Sequence, residues 1–168
     1  MRRPRLAPPG RIPASEKSPA QKAASQRGHL IRFYGDLGEA AFLHKATSLG
    51  FMVARPWRNI YGYDFIVEGG HNLLRLQVKT TSSISDGSYR VCVRRTTRTS
   101  TLAYNESEVD FIAVYIIPED TWYILPVREV VNHQALRFRP KGHRRPGPYD
   151  HYREAWHLLR EPDGLVFG

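Results

Sequence analysis

Asp64, Gln77 and Lys79 stand on two short runs, Tyr63-Asp64-Phe65-Ile66-Val67 and Leu74-Arg75-Leu76-Gln77-Val78-Lys79, separated by Gly69-Gly70-His71-Asn72. β-Branched and aromatic residues on both sides of a Gly-rich turn read as a β-hairpin. Strand alternation places Leu74, Leu76 and Val78 on one face and Arg75, Gln77 and Lys79 on the other. Pairing about a Gly70 to Asn72 turn sets Asp64 opposite Lys79 and Ile66 opposite Gln77, so Asp64 joins the polar face. An acid, an amide oxygen and an ammonium at one spot can hold a divalent cation beside a phosphate. That is the chemistry of phosphodiester hydrolysis.

A polar face on a central hairpin needs a cover, and the preceding helix is the candidate. Asp36-Leu37-Gly38-Glu39 sets a capping side chain three residues before an acid, and Phe42, Leu43, Ala46 and Leu49 recur at helical spacing until Gly50. The helix is therefore expected to start at Asp36 and to lie over the polar face of the hairpin. Glu39 sits one turn before Phe42 and Leu43 and leans toward the buried stripe, where a carboxylate costs desolvation unless it caps, pairs or binds metal. Taken singly, each residue also has an ordinary reading: Glu39 as the capping partner of Asp36, Asp64 as a strand-entry acid, Lys79 as a solvated edge lysine.

Further strands are expected at Phe51 to Trp57, Tyr89 to Arg94, Val109 to Ile117 and Trp122 to Leu125, with a short helix over Val127 to Asn132. Tyr149, Tyr152, Trp156 and Leu159 fall on one helical face, so the chain is expected to close with an amphipathic helix. Residues 1–28 carry Arg2, Arg3, Arg5, Arg11, Lys17, Lys22 and Arg27 against Glu16 alone, amid Pro, Ala and Ser. Such a segment has too little apolar surface to offset its ordering entropy and reads as a disordered basic arm. Residues 29–168 then form one α/β domain, a mixed central sheet flanked by helices.

The net charge of +9 and pI near 10.0 suit a polyanionic partner. Arg90, Arg94, Arg95 and Arg98, together with a Pro- and Gly-rich loop carrying Arg137, Arg139, Lys141, Arg144 and Arg145, are the candidate phosphate contacts; each cluster reads equally as a solvated charged face. A lone cysteine, Cys92, excludes a disulfide framework and a multi-cysteine zinc site. The seven histidines lack zinc spacing, and neither a phosphate-binding Gly-rich loop nor a nucleophile elbow occurs. No apolar run approaches the roughly 20 residues of a membrane span, and the start has no continuous apolar signal core. Cytoplasmic residence is the expectation.

Together and in this order, Glu39 in Gly35-Asp36-Leu37-Gly38-Glu39, Asp64 in Gly62-Tyr63-Asp64, and Gln77-Val78-Lys79 resemble the PD-(D/E)xK nuclease superfamily. Its site pairs an Asp opening a hairpin with an acid-x-Lys triplet, and a preceding helix adds a Glu. Gln at the first triplet position, with the Gly-x-x-Gly-Glu helix start, looks most like the group I intron homing endonuclease branch. The resemblance spans about Tyr34 to Val131 and implies a restriction-endonuclease-like fold and a Mg²⁺-dependent DNA endonuclease, with Mn²⁺ as an alternative metal. Asp64, Glu39, Gln77 and the Val78 carbonyl would bind the metal, and Lys79 would orient the attacking water. It also implies a homo-oligomer, dimer or tetramer, because cutting both strands with one site per chain needs two sites. Tyr63 replaces the superfamily Pro, and Gln77 supplies an oxygen without charge. A Holliday-junction resolvase shares the same core, and a catalytically silent DNA-binding module is the reading that Gln77 keeps open.

Overall fold

The computed structural model describes residues 18–57, 62–96, 99–139 and 146–160. It opens with helix α1, Pro19–Ser48, which starts well before the expected Asp36. The start signal is a capping box at Ser18: its Oγ accepts from the Gln21 N–H at 3.3 Å, and Gln21 Oε1 accepts from the Ser18 N–H at 2.9 Å, with Pro19 at the first turn. Ala20, Ala23, Ala24, Gln26 and Arg27 are good helix formers. Residues 19–28, assigned to a disordered arm on low hydrophobicity, are helical for that reason. The helix ends at Gly50, whose φ of 83° is a conformation glycine adopts without penalty.

Five strands make the central sheet: β1 (Met52–Ala54), β2 (Phe65–Gly69), β3 (Asn72–Thr81), then, after an excursion, β8 (Phe111–Ile116) and β9 (Thr121–Pro126). Their order is β1-β2-β3-β8-β9, with β3 and β8 parallel and every other neighbouring pair antiparallel, so the sheet is mixed as expected. The excursion holds β4 (Ile84–Ser85), β5 (Ser88–Cys92), β6 (Arg94–Thr96) and β7 (Thr101–Ala103). β10 (Ala135–Phe138) joins β5 and β4 in a three-stranded sheet, and β6 pairs with β7.

Alternation along β8 and β9 divides two cores. Ala113, Trp122 and Ile124 face α1, where Phe42 and Ala46 pack with Phe65, Val67, Leu76, Val78 and Trp156. Ile112, Val114, Ile116, Tyr123 and Leu125 face the small sheet, against Tyr89, Val91, Leu136 and Phe138. One α-helix thus covers one face, and a second sheet covers the other.

Residues 149–159 do not form the expected amphipathic α-helix. Two 3₁₀ turns, Asp150–Tyr152 and Trp156–Leu159, flank Glu154, which has a φ of 49°. Tyr149 and Tyr152 pack in the small-sheet core, whereas Trp156 and Leu159 pack in the helix-side core. A single helix could not serve both sides of the sheet. The break is held by backbone pairing to β9, with the Glu154 N–H donating to the Trp122 carbonyl at 2.9 Å. The short helix expected over Val127 to Asn132 is a 3₁₀ turn, Val127–Glu129.

Candidate active site

The hairpin register differs from the expected one by two residues. Phe65 lies opposite Leu76 and Ile66 opposite Arg75, and the Asp64 N–H donates to the Leu76 carbonyl at 2.9 Å. Asp64 therefore aligns with Gln77, not Lys79, and Ile66 aligns with Arg75, not Gln77. The turn is shorter than read: Gly69 pairs with Asn72 and only Gly70 and His71 lie between, with Gly70 at φ 65°. A two-residue shift preserves parity, so every side chain stays on its expected face.

Strand β2 begins only at Phe65, whereas Gln77 to Thr81 of β3 run on past it, paired to β8 on one side and to nothing in β2 on the other. That open edge is the floor of a cleft. Asp64 closes its near end: one carboxylate oxygen, Oδ2, accepts the Val78 N–H at 2.9 Å and the Gln77 side-chain amide. The carboxylate thus takes the backbone donor that a further β2 carbonyl would otherwise have taken. The cleft has a volume of about 420 Å³ and is lined by Ile31, Tyr34, Gly35, Glu39, Asp64 and the run Gln77 to Ser83.

Helix α1 supplies one wall, by a route other than the expected one. It packs on the Leu76 and Val78 face, and Lys79 on the opposite face meets Tyr104 and the β6 backbone. Glu39 reaches the open edge of β3 alongside the apolar contact. Gly38 makes that approach feasible: a Cβ there would lie 2.0 Å from Thr80 Cγ2. The Thr80 hydroxyl donates to the Tyr34 carbonyl at 3.0 Å and ties the strand to the helix.

Glu39, Asp64 and Lys79 are half-buried charges gathered at one place. Burial raises the Asp64 pKa, against the opposing Val78 N–H and the Lys79 and Arg55 charges. Burial also raises Glu39, and the neighbouring Asp64 charge adds to it. Lys79 is pulled down by burial, partly offset by Asp64. Its Nζ lies 3.5 Å from the Arg94 carbonyl and 5.2 Å from the Tyr104 ring centroid. Arg55, just past β1, donates to Glu39 Oε2.

The donor set suits a hard cation: two carboxylates, the Val78 carbonyl and the Gln77 amide oxygen. Among the described residues no group of three or more His, Cys, Asp or Glu side chains could hold a metal. The repulsion between Glu39 and Asp64 is what a bound cation would relieve.

The candidate DNA contacts divide. Arg90 and Arg137 are cross-strand partners on the exposed face of the β5–β10 pair, and Arg137 donates to Ser88 Oγ at 3.1 Å. Arg139 is exposed. Arg94 is half-buried on β6, and Arg95 turns to Glu108 at 3.6 Å. Arg98, Lys141, Arg144 and Arg145 lie outside the described residues. Sequence reasoning missed Tyr34, Arg55, Tyr104 and the close-packing role of Gly38. Of these only Gly38 carried a signal, a glycine inside a helical pattern beside a candidate acid.

An acid, an amide and a lysine thus line one cleft at the open edge of a mixed sheet, walled by one helix. The chain belongs to the PD-(D/E)XK endonuclease family, whose model matches residues 31–159. Among solved structures it is similar to a bacterial homing endonuclease, I-Ssp6803I, with a TM-score of 0.64 and 27% identity over 76% of this chain and 89% of that one. No curated protein matches the sequence.

Proposed function

We propose that this protein is a metal-dependent DNA endonuclease of the homing type, hydrolysing phosphodiester bonds at the cleft between α1 and β3. The observation that carries the reading is the assembly of Glu39, Asp64, Gln77, Val78 and Lys79 around one open cleft. The likeness to a homing endonuclease supports the subtype.

Asp64, Glu39, the Val78 carbonyl and the Gln77 amide oxygen would hold Mg²⁺, or Mn²⁺ in its place. The bound ion would supply an acidified water and a counter-charge for the scissile phosphate. Asp64 is fixed by the Val78 N–H, so its second oxygen keeps a defined direction. Gln77 donates through Nε2 to Asp64 and, at 3.2 Å, to the Val78 carbonyl. Turning the amide over would present its oxygen instead of its NH₂. Lys79 directs a positive charge at the oxygen that gains negative charge, and burial strengthens that effect. Arg90, Arg137 and Arg139 provide exposed positive charge for the DNA backbone. Cutting both strands requires two such sites, hence a homo-oligomer, dimer or tetramer.

The test is supercoiled plasmid incubated with the protein in Mg²⁺, Mn²⁺ or EDTA, beside Asp64→Asn and Lys79→Met. The reading expects metal-dependent nicking and linearisation, lost in both variants. Cleavage that survives both substitutions refutes the site; salt-sensitive DNA binding with no cleavage in any metal identifies the silent module instead.

A further inference from the structure

Arg55 is a cation at a site where another cation is expected. Its Nη2 donates to Oε2 of Glu39, one of the two carboxylates of the cleft. Arg55 follows the last residue of β1, and its guanidinium lies 5.9 Å from the Phe65 ring centroid. The side chain is 64% exposed while that of Glu39 is only 20% exposed. The acid is fixed in the wall, and the base can swing into solvent without disturbing the core.

We propose that Arg55 is a displaceable counter-ion of the site: it neutralises Glu39 until a divalent cation takes that carboxylate, and then turns to a phosphate of the substrate. The inference rests on the nuclease reading above. Its physical basis is competition for one oxygen. A guanidinium and a divalent cation cannot both sit against Glu39 Oε2 without repelling each other, and the mobile partner gives way. Once released from Glu39, which lines the cleft, Arg55 is a planar five-donor fork that matches two phosphate oxygens. Metal loading would therefore expose a phosphate-binding group at the moment the site becomes competent. Lys79, half-buried with its ammonium 5.2 Å from the Tyr104 ring centroid and 3.5 Å from the Arg94 carbonyl, has less freedom.

The experiment measures metal binding and DNA binding separately, on the full-length protein. Mn²⁺ binding is titrated calorimetrically for the wild type, Arg55→Gln and Asp64→Asn, with thermal melts to establish that each variant folds. DNA binding is then measured across a salt series in Ca²⁺. The competition predicts that Arg55→Gln binds Mn²⁺ more tightly by about 1.4- to fivefold, the range an exposed ion pair spans. In Ca²⁺ the same variant should bind DNA more weakly, with a salt slope shallower by about 0.9 for the lost phosphate contact. Arg55→Lys should restore the slope. Mn²⁺ affinity in Arg55→Gln that is unchanged or weaker, with binding still abolished in Asp64→Asn, overturns the inference and leaves the site standing. Undiminished Mn²⁺ binding in Asp64→Asn overturns the site itself.

Discussion

Replacing Gly38 by Ala tests whether the helix must touch the strand for the site to exist. In an exposed helix this change stabilises by about 1 kcal/mol, because alanine orders at lower entropic cost. Here the new Cβ would lie 2.0 Å from Thr80 Cγ2, 3.4 Å from Thr80 Cβ and 3.5 Å from Val78 Cγ1. Thr80 cannot simply rotate: it is β-branched, and its hydroxyl is committed to the Tyr34 carbonyl. Either that hydrogen bond is lost or α1 lifts from β3. Overpacking of this kind costs roughly 1–3 kcal/mol, so after the propensity gain the net loss reaches about 2 kcal/mol. For a domain of this size that is a fall in Tm of about 4–8 °C. Lifting the helix also carries Glu39 away from Asp64, so Mn²⁺ affinity should fall in step. Thr80→Ser removes the offending methyl and keeps the hydroxyl. The double variant Gly38→Ala/Thr80→Ser should recover both stability and metal binding, with a coupling of about 1 kcal/mol or more in a double-mutant cycle. Thermal melts and calorimetric titrations of the four proteins decide it. A Gly38→Ala protein that is more stable than wild type and binds metal normally would refute the close-approach argument.

Two other outcomes follow from the same geometry. Glu39 and Asp64 have pKa values raised chiefly by burial, so protonation stabilises the metal-free fold at acid pH. That contribution is fully present below the unfolded values and is lost as pH rises through the raised folded ones; Mn²⁺ affinity should accordingly keep climbing with pH above the ordinary carboxylate range, and Glu39→Gln should flatten part of that rise. At the opposite edge of the sheet, Glu154 accepts the Trp122 N–H and the Trp156 Nε1–H, both at 2.8 Å; Glu154→Ala should cost about 2 kcal/mol in urea denaturation through the stranded donors, with metal affinity unchanged.

The sheet was readable because its strands announce themselves. Val109 to Ile117 is almost continuously apolar and became β8, buried on both faces. Parity along Gln77-Val78-Lys79 survived even a register error, since a slip of two returns each side chain to its own face. The helix start was misplaced because Asp36-Leu37-Gly38-Glu39 and Ser18-Pro19-Ala20-Gln21 both carry capping patterns. Only the second acts as one, and low apolar content hid it. The closing segment failed for a different reason: Tyr152 and Trp156 are four apart, as on a helical face, yet they belong to separate cores. Arg55 and Tyr104 left no signal, because their places beside Glu39 and Lys79 depend on which segments become neighbours.

A crystal of the protein soaked in Mn²⁺ and measured for anomalous scattering tests the central claim most directly. The account predicts a peak at coordination distance from the free oxygen of Asp64 and the Val78 carbonyl, with Glu39 turned toward it. No peak there, or a peak elsewhere in a protein that still cleaves DNA, would contradict it.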